Sequence, residues 1–129
     1  MVEHEYIKDE HELYRFIHKT YIKGNEISKS SFKIEMFRIS VDWDKRTQPP
    51  YNPHYTRARN GDPIDYAVIG LITGDVRTEG FNAEHTPDKD NEAHSDIIIP
   101  EEIPLSQENK IKTILRNLSF WKIRFGDPI

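Results

Sequence analysis

The sequence predicts an α+β domain: a mixed or mainly antiparallel sheet of about four to five strands packed against a C-terminal amphipathic helix. Three observations carry this. Tyr66-Ala67-Val68-Ile69-Gly70-Leu71-Ile72 is apolar and branched nearly throughout, as expected of a central strand covered on both faces. Ile39, Val41 and Trp43 alternate with Arg38, Ser40 and Asp42, the period of a half-buried strand. Ile111, Ile114, Leu115, Leu118 and Trp121 recur at helical spacing behind Ser106, which fits an N-cap. At 129 residues the chain suffices for one core, so residues 1–129 are expected to form a single domain.

In chain order, residues 1–8 are expected to be mobile. Asp9-Glu10-His11-Glu12 has capping-box spacing, while Leu13-Tyr14-Arg15-Phe16-Ile17 is rich in aromatic and branched residues. A short helical turn followed by extended chain reconciles the two. Gly24-Asn25 marks a turn, and Ser28, Ser30 and Ser31 fit loop or capping positions. The next strand covers Phe32 to Val41 and beyond, with Phe37 out of phase and a slip or bulge expected beside it. Pro49, Pro50, Pro53 and Pro63 then exclude a central strand, so 47–63 is expected to be a long loop. Thr73–Gly80 fits a turn or short helix, Phe81–His85 a short strand, Thr86–Glu92 an acidic turn-rich loop, and His94–Ile99 a strand ending at Pro100.

Composition excludes several classes of function. No apolar run approaches the roughly 18 residues that span a bilayer, and Met1-Val2-Glu3-His4-Glu5 lacks the start of a signal peptide, so a cytoplasmic location without a membrane partner is expected. Cysteine is absent, which closes disulfide frameworks, thiolate metal sites and cysteine nucleophiles. The net charge of −4 lacks the broad basic footprint of a nucleic-acid binder, and core packing accounts better for Tyr14, Phe16 and Phe37 beside Arg15 and Arg38 than a base-stacking platform does. No Gly-x-Ser-x-Gly elbow, dinucleotide fingerprint or P-loop occurs. The charge is unevenly placed. Residues 1–60 hold 11 basic and 9 acidic side chains (+2), and residues 61–129 hold 7 and 13 (−6). Between Glu84 and Glu108 eight carboxylates face Lys89 alone. Such a run is either a solvated face or an acidic docking surface for a basic partner.

Two segments hold candidate functional residues. The proline-rich loop carries His54, Tyr55, Arg57 and Arg59, which with Asp88 and Asp90 form a candidate interaction surface. The second, His85-Thr86-Pro87-Asp88-Lys89-Asp90-Asn91-Glu92-Ala93-His94, sets two imidazoles around a loop dense in acceptors. One reading makes Asp88 and Asn91 turn formers, with His94 bonded within the sheet. A catalytic reading makes His94 a general base and Asn91 a donor, with Arg15 or Arg77 holding an anionic substrate. A third places a divalent cation on Asp88, Asp90 and His85, although the loop lacks the glycine bend and closing glutamate of an EF-hand. Neither a metal nor a cofactor is expected.

Leu13-Tyr14-Arg15 with Ser28 and Phe32 downstream, Gly74-Asp75-Val76-Arg77, and Pro87 followed by Asn91-Glu92-Ala93-His94 resemble, in this order, a group of small bacterial proteins without an assigned activity. The resemblance spans most of residues 9 to 99 and implies a bacterial, cytoplasmic origin. Leu13-Tyr14-Arg15 followed by a serine also looks like the opening of ADP-ribosyltransferase-type folds. That resemblance implies a ligand-binding Arg15, with Ser28 as the following serine; the later glutamate of that family is not placed in this sequence. The function expected is that of a non-catalytic protein-interaction component, accessory or neutralising, of a bacterial defence or toxin operon. The alternative is a small enzyme or nucleotide or anionic-ligand binder using Arg15, Arg77, Asn91 and His94.

Overall fold

The computed structural model describes residues 4–46, 66–89 and 91–123. Its strands are β1 (Glu12–His18), β2 (Ile22–Lys23), β3 (Glu26–Ile27), β4 (Arg38–Trp43), β5 (Tyr66–Ile72), β6 (Asn82–His85), β7 (His94–Ile98) and β8 (Phe120–Ile123), and its helices are α1 (Thr73–Thr78) and α2 (Glu108–Leu118). Six strands form one sheet in the order β6-β7-β4-β1-β5-β8, and β2 pairs with β3 separately. Among the described residues every pairing is antiparallel. The protein is therefore α+β with a mainly antiparallel sheet.

The sheet has one strand more than the four to five expected, and the reason lies in Trp121. Its spacing from Leu118 fits the helical stripe, yet α2 ends at Leu118, where Ser119 turns extended (ψ 153) and donates its N–H to the Leu115 carbonyl. Phe120-Trp121-Lys122-Ile123 then pairs with β5, Trp121 opposite Ile69. An aromatic and branched run after a helix end is better satisfied along a sheet edge than in a further turn of helix. Ser106 is not the cap either: it lies in a 3-10 turn, Leu105–Gln107, and α2 begins at Glu108 without a side-chain cap. Asp9 and Glu10 form a turn ahead of β1, and no capped helix follows them.

Strand alternation divides the sheet into two faces. Leu13, Ile17, Ile39, Val41, Trp43, Ile69, Leu71 and Ile97 lie on one, buried together with Val76 of α1, Ile111 and Leu115 of α2, and Phe32. Ile114, Leu118 and Trp121 pack against that cluster from its rim. Within the segment expected to be mobile, Ile7 belongs to this core. The opposite face carries a smaller apolar cluster, Tyr14, Phe16, Val68 and Ile123, and beside it a polar strip from β4 and β7. Gly70 permits the close approach of β8: a Cβ there would meet the Phe120 ring at 2.6 Å. No helix among the described residues is long and apolar enough to cross a membrane.

Candidate functional site

His85 and His94, neighbours at the β6–β7 junction, fall on opposite faces because β6 pairs His85 with Ser95. His85 turns into the core and is 1% exposed. Its Nδ1 accepts the Glu5 N–H at 3.1 Å, and its Nε2 lies 2.7 Å from the Glu92 carbonyl, which can only accept. Both ring nitrogens are thus committed to backbone, leaving no lone pair for a cation. No group of three or more metal-ligating side chains occurs among the described residues.

On the polar strip, Asp42 of β4 stands opposite His94 of β7, and Ser40 opposite Asp96. The turn before β7 is built by side chains. Asp88 Oδ1 accepts the Asn91 N–H at 2.7 Å, and Asn91 Oδ1 accepts the Ala93 N–H at 3.0 Å. That leaves the Asn91 amide nitrogen to donate to buried Asp42 Oδ1 at 2.7 Å. Asp88 and Asn91 are thereby turn formers, and Asn91 also ties the turn to β4. His94 Nδ1 lies 2.9 Å from the Thr86 carbonyl and 3.0 Å from its hydroxyl, which donates to Asp96 Oδ2 at 3.0 Å. Because a carbonyl only accepts, Nδ1 carries the hydrogen and Nε2 is the basic nitrogen. Arg38 reaches Asp96 from the side at 3.2 Å.

The two arginines expected to hold an anion are anchored apart. Arg15 donates from Nε and Nη2 to the Ser31 carbonyl at 3.0 and 2.6 Å, and from Nη1 to the Ser40 carbonyl at 2.6 Å. It clamps the 3-10 turn Lys29–Ser31 and β4 onto β1. Ser28 caps that turn by accepting the Ser30 N–H at 3.2 Å. Arg77 lies by β6, at the far edge of the sheet. It bonds Asp9 at 2.6 Å, Asn82 at 2.9 Å and the Ala83 carbonyl at 3.3 Å, and its guanidinium carbon sits 4.8 Å from the Tyr6 ring centre. The structure brings Asn91 and His94 together at one turn and holds Arg15 and Arg77 at two other places. His54, Tyr55, Arg57, Arg59 and Asp90 lie outside the described residues; Asp88 is exposed.

A second feature was legible only as an irregularity. Phe37 breaks the strand pattern because the chain reverses there: Glu35 and Arg38 exchange both backbone hydrogen bonds at 2.9 Å around Met36 and Phe37. Their φ values are +50 and +62, the two-positive pattern of a type I′ turn that asparagine and glycine normally supply. The strain is held in place because the Phe37 carbonyl accepts the Ile99 N–H at 2.8 Å. Met36 is 90% exposed. It lines both a polar cleft of about 430 Å³, which includes Arg15, Lys33, Arg38 and Asp96, and a largely apolar recess of about 120 Å³, in which Ile34, Phe37, Ile99, Ile103, Pro104 and Ile111 are joined by Glu108. Nothing in the residue types announced this turn, since neither Met nor Phe is a turn former. The one signal was the broken alternation.

No family model, no curated protein and no solved structure matches this chain.

Proposed function

We propose that this chain is a non-catalytic protein-interaction component that presents the Met36–Phe37 turn to a protein partner. The observation that carries the reading is that turn: two bulky apolar residues held at positive φ, with the Met36 side chain in solvent beside an apolar recess. Backbone strain of about 1–3 kcal/mol per residue persists where the surrounding structure enforces it, and binding sites are where it concentrates. The anchoring of Arg15 and Arg77 supports the same reading, because both act as structural clamps. Exposed Glu84, Asp88, Glu92, Glu101 and Glu102 add an acidic surface suited to a basic partner. In its finer form the reading makes the chain the accessory or neutralising member of a bacterial defence or toxin operon, working in the cytoplasm.

Capture of partners from the native host tests it. A defined partner protein should be recovered in a stoichiometric complex, and Met36→Asp should weaken that complex about tenfold or more. His94→Ala should leave it intact. Recovery of free chain alone, or a complex indifferent to Met36→Asp, would remove the proposal.

A second reading rests on His94. Thr86 fixes its Nδ1–H, Asp96 fixes Thr86, and Nε2 is left as a proton acceptor on a residue that stands opposite Asp42 in the sheet, an arrangement suited to a general base or a ligand-orienting group. Small carboxylate or phosphate ligands that shift the His94 ring resonances at micromolar concentration would favour it. The absence of such shifts would favour the adaptor.

A further inference from the structure

The His85 imidazole is enclosed so that one protonation state fits. Glu5 presents an N–H to Nδ1, so Nδ1 must be bare; the Glu92 carbonyl faces Nε2, so Nε2 must carry the hydrogen. The described groups around the ring add to this. From residues 4–5 come the His4 ring, 6.5 Å between centroids, and Glu5. From β4 and its turn come Trp43, edge-on at 5.0 Å, and the cations Lys45 and Arg46. From the turn before β7 comes Glu92, through its backbone. The Glu5 carboxylate is itself bonded to Lys45 at 2.8 Å and to Arg46. A proton arriving on Nδ1 would point at an N–H donor, amid two cations.

We propose that residues 4–7 form a proton-released strap, latched on His85 and hinged at Asp9, that lifts in mild acid and uncovers the Trp43–His85 surface while the sheet stays folded. The hinge is what survives the release: the Asp9 carbonyl accepts the Gly74 N–H at 2.8 Å, and Asp9 Oδ1 binds Arg77 at 2.6 Å. The strap is held by the Glu5 N–H to His85, the buried side chain of Ile7, the ion pairs of Glu5 with Lys45 and Arg46, and the Tyr6 ring against Arg77; the first of these is the latch, the contact that a proton on His85 breaks. Burial, opposed by the Glu92 hydrogen bond and reinforced by Arg46, His4 and Lys45, holds the imidazole below the usual histidine range, so the strap stays closed at neutral pH. Protonation converts the latch from acceptor to donor, and the Glu5 N–H loses its partner.

Amide hydrogen exchange of the full chain, followed residue by residue by NMR between about pH 7.5 and 4.5, tests this on the side of the histidine range where release is expected. The protection of the Glu5 amide should fall about tenfold or more in step with the His85 ring titration, while sheet amides at Ile39 and Ile69 keep theirs. His4→Gln and His11→Gln should retain the transition, and His85→Phe should leave Glu5 unprotected at every pH. A Glu5 amide protected throughout, one lost together with the sheet amides, or a transition abolished by His4→Gln or His11→Gln would overturn the proposal. If His85→Phe does not fold, the wild-type titration and the two other variants decide.

Discussion

Arg15 aims three of its donors at main-chain oxygens of Ser31 and Ser40, an arrangement lysine cannot copy because an ammonium lacks the planar fork. Arg15→Lys should therefore destabilise the fold by about 1–3 kcal/mol, read as a lowered urea midpoint with an unchanged slope. An arginine needed for an anionic ligand would give loss of ligand affinity at constant stability. Met36 and Phe37 allow a prediction of opposite sign. Replacing them with Asn-Gly relieves two positive-φ residues and should stabilise the protein by about 1–3 kcal/mol while weakening partner capture. A variant that is less stable would show that the Phe37 side chain, partly buried against the core, outweighs the backbone strain. At this scale the sequence was legible where a residue type has one dominant use. Asp88 and Asn91 form the turn that their side chains favour. It was silent on Thr86, Asp96 and Asp42, because a threonine or aspartate acquires a role only from the strand set beside it.

Elements were read well where burial on two faces leaves a continuous apolar run. Tyr66–Ile72 became β5, between β1 and β8, and Ala67, Val68, Ile69 and Leu71 are all buried. The alternation over Ile39, Val41 and Trp43 likewise located β4, because a half-buried strand writes its period into the chain, but the strand begins at Arg38 and the expected start at Phe32 is wrong, since the Met36–Phe37 turn precedes it. Misreading came at the junctions. Trp121 satisfied a helical period by coincidence, and only the partner strand β5 reveals that it belongs to a sheet edge. Gly70 is the element-scale test of that edge, since the Phe120 ring lies over it. Gly70→Ala should cost about 1–2 kcal/mol and displace β8, visible as loss of amide protection at Trp121 before β1 is affected. Equal loss across all strands would mean that β8 and the sheet open as one unit.

For the whole molecule, the folded state and the unfolded chain differ in their hold on a proton at His85. The folded-state value lies below the ordinary histidine value of about 6.5, so the unfolded chain binds that proton more readily. The contribution of His85 to stability is accordingly complete above about 6.5, falls as pH drops below it, and stops falling once the folded-state value is passed. Urea midpoints measured from pH 7.5 down to 5 should follow that course, and His85→Phe should flatten it. Charge placement gives a separate expectation. With the carboxylates between Glu84 and Glu108 largely on the surface, association with a basic partner should weaken as salt rises from about 0.1 M to 1 M and the screening length contracts from about 10 Å to 3 Å. An association unchanged by salt would assign the contact to the Met36 turn alone.

The sequence by itself determined the coarse fold class and the strands with a clean period, and it offered the turn at Asp88–Asn91 as one of three readings, because apolar spacing and side-chain-to-backbone bonding act over a few residues and are written locally. The tertiary structure alone decided which side chains meet: that His85 and His94 part to opposite faces, that Asp42 stands beside Asn91, that Arg15 is a clamp, and that Met36 tops a strained turn. Such meetings depend on strand register and on contacts between segments tens of residues apart, and no local pattern in the chain encodes them.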